Sequence, residues 1–239
     1  MTKIYEALDN AGKERAETTP RRVIAPSGPQ LPKGLADTLV SLCQRIDAVL
    51  EDRRCRIVEF VGAQSGNDSS RLVREFARMA ATRLNKRVLL VSAGPSAYVN
   101  QFAIGGTVRG WEEMVETGEL SESLFYSAGD ARLTVSQMAS NNISLPSVLS
   151  SPHLSAVFEA LRERFDLILI DAPSFEASSD AVLLSPFADG VIVVVEAGRT
   201  RWQAIKRWIN QIVGQHGNVL GVVFNKRRDY IPRFIYRRL

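Results

Sequence analysis

The chain has 239 residues, 45% hydrophobic and 23% charged, with a formal net charge of +4, ordinary values for one good-sized domain with an attached tail. No run of about 18 apolar residues occurs, which excludes a membrane-spanning helix, and the opening MTKIYEALDNAGKER lacks the basic and apolar regions of a signal peptide. Cys43 and Cys55 form no CxxC or metal-ligand spacing, so a reduced cytoplasmic setting is the simplest fit.

Residues 3–15 place Ile4, Ala7, Leu8 and Ala11 at helical spacing, which predicts a short amphipathic docking helix with Ile4, Tyr5 and Leu8 as its contact residues. Residues 18–34 hold four prolines and two glycines and read as an extended linker. A helix follows over 35–51, with Leu39, Leu42, Cys43, Ile46, Val49 and Leu50 on one face. A strand is predicted at 56–62, then a helix over 69–83 with Leu72, Phe76, Met79 and Ala80 turned inward. The run RVLLVSA at 87–93 reads as a buried parallel strand.

Residues 94–130 are Gly-rich and polar, and predict irregular structure and short helices. A strand at 131–138, a loop at 141–152 and a helix at 153–165 come next. LILIDAP at 167–173 is an apolar strand ending in Asp171. A helix at 178–187, a strand at 190–198, a helix at 200–215 and a strand at 218–225 complete the set. Alternating apolar strands and amphipathic helices predict an α/β fold, a doubly wound, mostly parallel sheet flanked by helices. The organisation is a docking helix at 1–17, a linker at 18–34, a P-loop ATPase-like domain at 35–226 and a basic tail at 227–239.

Residues 56–83, RIVEFVGAQSGNDSSRLVREFARMAATR, organise the rest. A buried strand enters a loop of small residues and a helix begins near Ser69, the context in which a P-loop cradles phosphates. The P-loop pattern ends Gly-Lys-Ser/Thr, whereas the matching triplet is Asp68-Ser69-Ser70. The lysine is missing, and an acid replaces the second glycine.

The order of segments resembles the cytoplasmic domain of bacterial tyrosine kinases, which work with polysaccharide copolymerases in capsule and exopolysaccharide export and share a MinD/ParA-like P-loop fold. The resemblance runs from KIYEAL at 3–8 to GVVFN at 221–225. It is carried best by FDLILIDAPSFEASSDAVLLSPFADGVIVVVEAGRTR at 165–201, with FEALRERFD at 158–166 and VREFARMAA at 73–81. It implies a nucleotide cleft formed by Gly66, Asp68, Ser69, Ser70, Asp171 and Asn225, with Ser70 and Asp171 toward Mg²⁺ and Asp171 as the catalytic group of an active member.

The departures point the other way. A charge-assisted hydrogen bond is worth about 1.5–3 kcal/mol, so a missing lysine costs roughly tenfold to a hundredfold in affinity. An acid in place of the glycine adds repulsion of about 4 kcal/mol for unit charges about 4 Å apart at an effective dielectric of about 20. Ser92 and Gly94 stand where active members carry an Asp-x-Asp pair, leaving Asp171 without partner carboxylates for a hard cation. Asn225 suits either an adenine edge or a turn cap. The tail keeps Tyr230 and Tyr236 but no tyrosine cluster, and Arg45 stands without the family's Glu-x-x-Arg-x-x-Arg set.

The expectation is a catalytically degenerate tyrosine-kinase-like component of exopolysaccharide synthesis or export, cytoplasmic and peripheral at the inner membrane. It requires no cofactor, and ATP or ADP with Mg²⁺ would bind only weakly. Its partners would be a membrane copolymerase or other synthesis proteins, with self-association, an acidic membrane surface for the tail, and no nucleic acid. One alternative is an active tyrosine autokinase in which Arg71, Lys86 or a neighbouring subunit's arginine replaces the lysine. Another is a MinD/ParA-like positioning protein, against which Pro232 interrupts any tail helix. Trp202, Ile205, Trp208, Ile209 and Ile212 read as a core stripe, with Trp202 alternatively at a partner surface.

Overall fold

Continuous apolar runs become inner strands here because helices cover both faces of the sheet. The computed structural model describes residues 21–22, 33–51, 54–65, 67–94, 110–128, 132–139 and 144–226. The predicted docking helix with Ile4, Tyr5 and Leu8, and the tail with Tyr230 and Tyr236, lie outside them.

The strands are β1 (Arg21–Arg22), β2 (Arg56–Gly62), β3 (Val88–Ser92), β4 (Tyr126–Ser127), β5 (Leu133–Gln137), β6 (Leu167–Ala172), β7 (Gly190–Glu196) and β8 (Val219–Asn225). They form one sheet in the order β1-β4-β5-β3-β6-β2-β7-β8. Only β4 and β5 pair antiparallel. The helices are α1 (Lys33–Val49), α2 (Asn67–Thr82), α3 (Glu112–Thr117), α4 (Leu145–Leu149), α5 (Leu154–Arg164), α6 (Asp180–Leu184) and α7 (Trp202–Gly214).

Alternation along β2 sends Ile57 and Val61 to one face and Val58 and Phe60 to the other. Ile57 and Val61 pack with Met114, Phe158, Leu184, Ile205 and Trp208, from α3 and α5–α7. Val58 and Phe60 pack with Leu39 and Cys43 of α1 and with Val73, Phe76 and Ala80 of α2. The Phe60 and Phe76 rings meet at 5.5 Å between centroids, and burying each such side chain contributes about 1.5–3 kcal/mol. At the base of the sheet Arg162 grips Asp189 with two 2.8 Å bonds, while Asp189 also accepts the Ile57 N–H at 2.7 Å. That carboxylate ties α5, β7 and β2 together.

The α/β fold and the order of its elements follow the sequence expectation; several details do not. Helix α1 starts at Lys33, just after Pro32, and Val49 is 65% exposed because the helix turns its last apolar residue away from the sheet. The segment expected to be a loop at 141–152 contains α4, whose second residue, Pro146, has the backbone angle a helix start requires. Within the expected linker, Arg21–Arg22 pair parallel with Tyr126–Ser127 and form the sheet's outer strand. Of the expected stripe on α7, Ile205, Trp208 and Ile212 are buried and Ile209 is half-buried, but Trp202 is 64% exposed.

Strand order decides where a ligand would sit. The chain leaves β2 through α2 on one face toward β3, and leaves β7 through α7 on the other face toward β8. The connections diverge between β2 and β7, the kind of crevice where open α/β sheets bind ligands.

Candidate nucleotide cleft

Strand β2 ends at Gly62, and α2 begins five residues later. Close approach demands the glycine: a Cβ at 62 would stand 2.6 Å from the Ser69 Oγ, which itself sits nine-tenths buried in the first turns of α2. Ser69 therefore occupies the expected lysine position as a short, packed hydroxyl. Gly66 and the side chain of Asp68 lie outside the described residues. Ser70, the next residue of α2, is half-buried.

The loop is held from outside by residues 173–178. Phe175 donates its N–H to the Gly62 carbonyl at 3.0 Å, and its ring stacks on Trp208 at 4.9 Å and 3°. The Ser65 and Ser174 hydroxyls lie 3.3 Å apart, and the Ser65 N–H is donated to Glu176 Oε2 at 3.2 Å. A phosphate cradle offers such backbone N–H groups to an anion; here a carboxylate of the same chain takes one of them.

A small open pocket of about 60 Å³ lies at the ends of β2, β7 and β8, lined by Gln64, Ser65, Ser69, Glu196, Arg199 and Asn225 among others. It brings Ser69 and Asn225 together, as the sequence implied; Ser70 and Asp171 do not line it. The Asn225 side-chain Oδ1 accepts the Lys226 N–H at 2.9 Å, and Lys226 has a φ of 55°. Asn225 thus caps a tight turn at the rim. Sequence reasoning missed Glu176, Arg199 and Lys226. Arg199 and Lys226 line the pocket, and Arg199 pairs with Glu196 at 3.2 Å. No local pattern distinguishes these residues from ordinary surface charges.

Asp171 is buried at the end of β6, in register with Ser92 on one side and Phe60 on the other. Ser92 is also in register with Gln137, so Gln137, Ser92 and Asp171 form a polar row on one face at the ends of three strands. The Ser92 hydroxyl donates to the Gly94 carbonyl at 3.2 Å, and the Gln137 amide to the Ala139 carbonyl at 2.6 Å. One carboxylate in this row, and a serine in place of the loop ammonium, do not fit the usual Mg²⁺–nucleotide arrangement. Lys86, weighed as a replacement cation, sits before β3 at the other end of the sheet, with both Asp47 oxygens 2.8 Å from its Nζ. Arg71 is exposed on α2 outside the pocket lining.

No family model matches the chain. The succinoglycan biosynthesis transport protein ExoP of Rhizobium meliloti (strain 1021) is 25% identical over 202 residues, which are 80% of this chain and 25% of that protein. The tyrosine-protein kinase CpsD of Streptococcus agalactiae serotype III (strain NEM316) is 26% identical over 87 residues, 36% of this chain and 38% of that protein. The kinase domain of the Escherichia coli tyrosine kinase ETK superposes with a TM-score of 0.71 at 15% identity, covering 82% of this chain and 78% of that one. The chain is a relative of the bacterial tyrosine kinases. It spans only part of the length of these kinase relatives. The same fold appears in the septum site-determining protein MinD of Pyrococcus horikoshii OT3, complexed with Mg-ADP. That structure superposes at a TM-score of 0.55 and 16% identity over 77% of this chain and 76% of that one. The resemblance read from the sequence therefore holds for the kinase relatives and for the fold.

Proposed function

We propose that the chain is a pseudokinase of bacterial exopolysaccharide synthesis or export. It acts by binding a membrane copolymerase or other synthesis proteins and transfers no phosphate. The observation that carries this reading is the cleft itself. Positions that should bring an ammonium and two carboxylates hold Ser69, Ser92 and Gly94, and the loop's Ser65 N–H is taken by Glu176. The kinship with a succinoglycan transport protein supports the pathway. The segment carrying Ile4, Tyr5 and Leu8 would dock on the partner, with the protein cytoplasmic and peripheral at the inner membrane.

Calorimetric titration with ATP and with ADP, with and without Mg²⁺, tests it. No binding at millimolar nucleotide is expected. Micromolar affinity with hydrolysis lost in Asp171→Asn would sink the reading.

The cations Arg199 and Lys226 beside the pocket favour one second reading, an ATP-dependent tyrosine autokinase with a rearranged site. Incubation with ATP and Mg²⁺ would then put phosphate on Tyr230 or Tyr236, visible as a mass shift.

A further inference from the structure

Trp111 and Trp208 are buried, whereas Trp202 at the start of α7 is 64% exposed. Its neighbours on the same open, shallow helix face are Gln203, Lys206, Arg207, Asn210 and Gln211. Arg201 precedes it, and Arg199, with a side chain 68% exposed, lies one turn of chain earlier. From 197 to 215 the sequence contains no acidic residue. Glu196, the acidic residue just before this run, pairs with Arg199. Among the described residues, Arg201, Lys206 and Arg207 have no ion-pair partner.

We infer that the face formed by Trp202, Lys206 and Arg207 docks on an anionic lipid bilayer. An indole ringed by cations belongs at the level of lipid headgroups, where its apolar body and N–H are both accommodated. Each lysine or arginine held near an anionic leaflet strengthens partitioning about fivefold. A protein hot spot is built differently, with its aromatic anchor sealed by a ring of packed neighbours; here Gln203, Lys206 and Arg207 leave the ring open. Single-stranded nucleic acid needs successive stacking platforms along a groove, and this face offers one indole. A laminar partner needs neither cleft nor complementary shape. The inference rests on the peripheral membrane placement proposed above and adds the surface that makes the contact.

The test is cosedimentation of the full chain with phosphatidylcholine vesicles, with and without phosphatidylglycerol, followed also by tryptophan emission. Binding to the anionic vesicles only, weakening with salt, with a blue shift that Trp202→Phe removes, is the expected result. Lys206→Glu/Arg207→Glu should lose at least about 25-fold in partitioning, from two cations at about fivefold each, with an unchanged melting temperature. Arg227→Glu/Arg228→Glu in the tail should retain the blue shift. No anionic-vesicle binding by the wild type overturns the inference. So does loss confined to the tail variant, or a duplex DNA oligonucleotide that binds tighter and displaces the vesicles. The assay contains no protein partner and no nucleotide, so its failure leaves the pseudokinase reading to the calorimetry.

Discussion

The Glu176 carboxylate accepts the backbone N–H of Ser65 across 111 residues of sequence, at 3.2 Å. The donor belongs to the loop between β2 and α2; the acceptor belongs to the segment after β6, anchored by the stack of Phe175 on Trp208. A loop standing where P-loops bind anions is thereby supplied with a carboxylate from its own chain. Both residues are exposed, so the contact is open to exchange with solvent and with competing oxyanions.

Glu176→Ala should release that donor and remove a competing negative charge. Affinity for inorganic pyrophosphate should rise by up to about tenfold, the value of one hydrogen bond to a charged group. Glu176→Gln should fall between the two proteins. Stability should change by less than about 0.5 kcal/mol, as for an exposed side chain. Equal pyrophosphate affinities in all three proteins, measured by calorimetry, would remove the competition.

Rebuilding the loop as Asp68→Gly/Ser69→Lys should raise ATP affinity roughly tenfold to a hundredfold. Phosphate transfer should not return with it, because Ser92 and Gly94 still supply no carboxylate. Binding and autophosphorylation measured side by side separate the two effects.

Glu59 lies fully buried in the middle of β2, between Ile170 and Val191, and neither of its carboxyl oxygens has a hydrogen-bond partner among the described residues. Burial holds its pKa well above the ordinary 4.5, so the folded protein keeps it neutral where the unfolded chain ionises it. Well below pH 4.5 both states are protonated, and only the pH-independent cost of a buried, unpaired neutral carboxyl is left. As pH rises above that value only the unfolded state gains charge, so stability falls until the folded-state value is reached. Glu59→Leu should stabilise the protein by about 1–3 kcal/mol at pH 7, the cost of an unsatisfied buried polar group. Urea denaturation should show that gain shrinking toward acid pH; a gain independent of pH would mean that packing alone is responsible.

Asp189 joins three elements at the base of the sheet through Arg162 and the Ile57 N–H. Asp189→Ala should cost about 3–5 kcal/mol, since it strands the guanidinium in a half-buried site. The urea midpoint should fall accordingly, while Arg87→Ala, which breaks an exposed pair with Asp166, should cost about 1 kcal/mol or less.

Both thiols are buried, and burial pushes Cys55 up to about 11 and Cys43 upward as well. Neither should react with a disulfide reagent at neutral pH in the folded protein, because the thiolate is the reactive form. Both should react on unfolding, read as two thiols per chain. Fast labelling of the native protein would show that one of these sites opens.

The sequence by itself determined the kinds and order of the main elements, though not the outer strand β1 or the short helix α4. β2, β6, β7 and β8 are apolar runs, and α2 and α7 carry apolar residues at helical spacing, so local periodicity states what each must bury. It also located the loop between β2 and α2, where Asp68-Ser69-Ser70 stands in place of the Gly-Lys-Ser/Thr pattern. Only the tertiary structure decided that β6 and β7 flank β2, that Lys86 is spent on Asp47 at the far end of the sheet, and that Glu176 reaches Ser65. It alone turned Trp202 outward while Ile205 and Trp208 pack inward. Periodicity records the demand of one segment for burial, whereas these outcomes depend on which distant segment arrives to meet it.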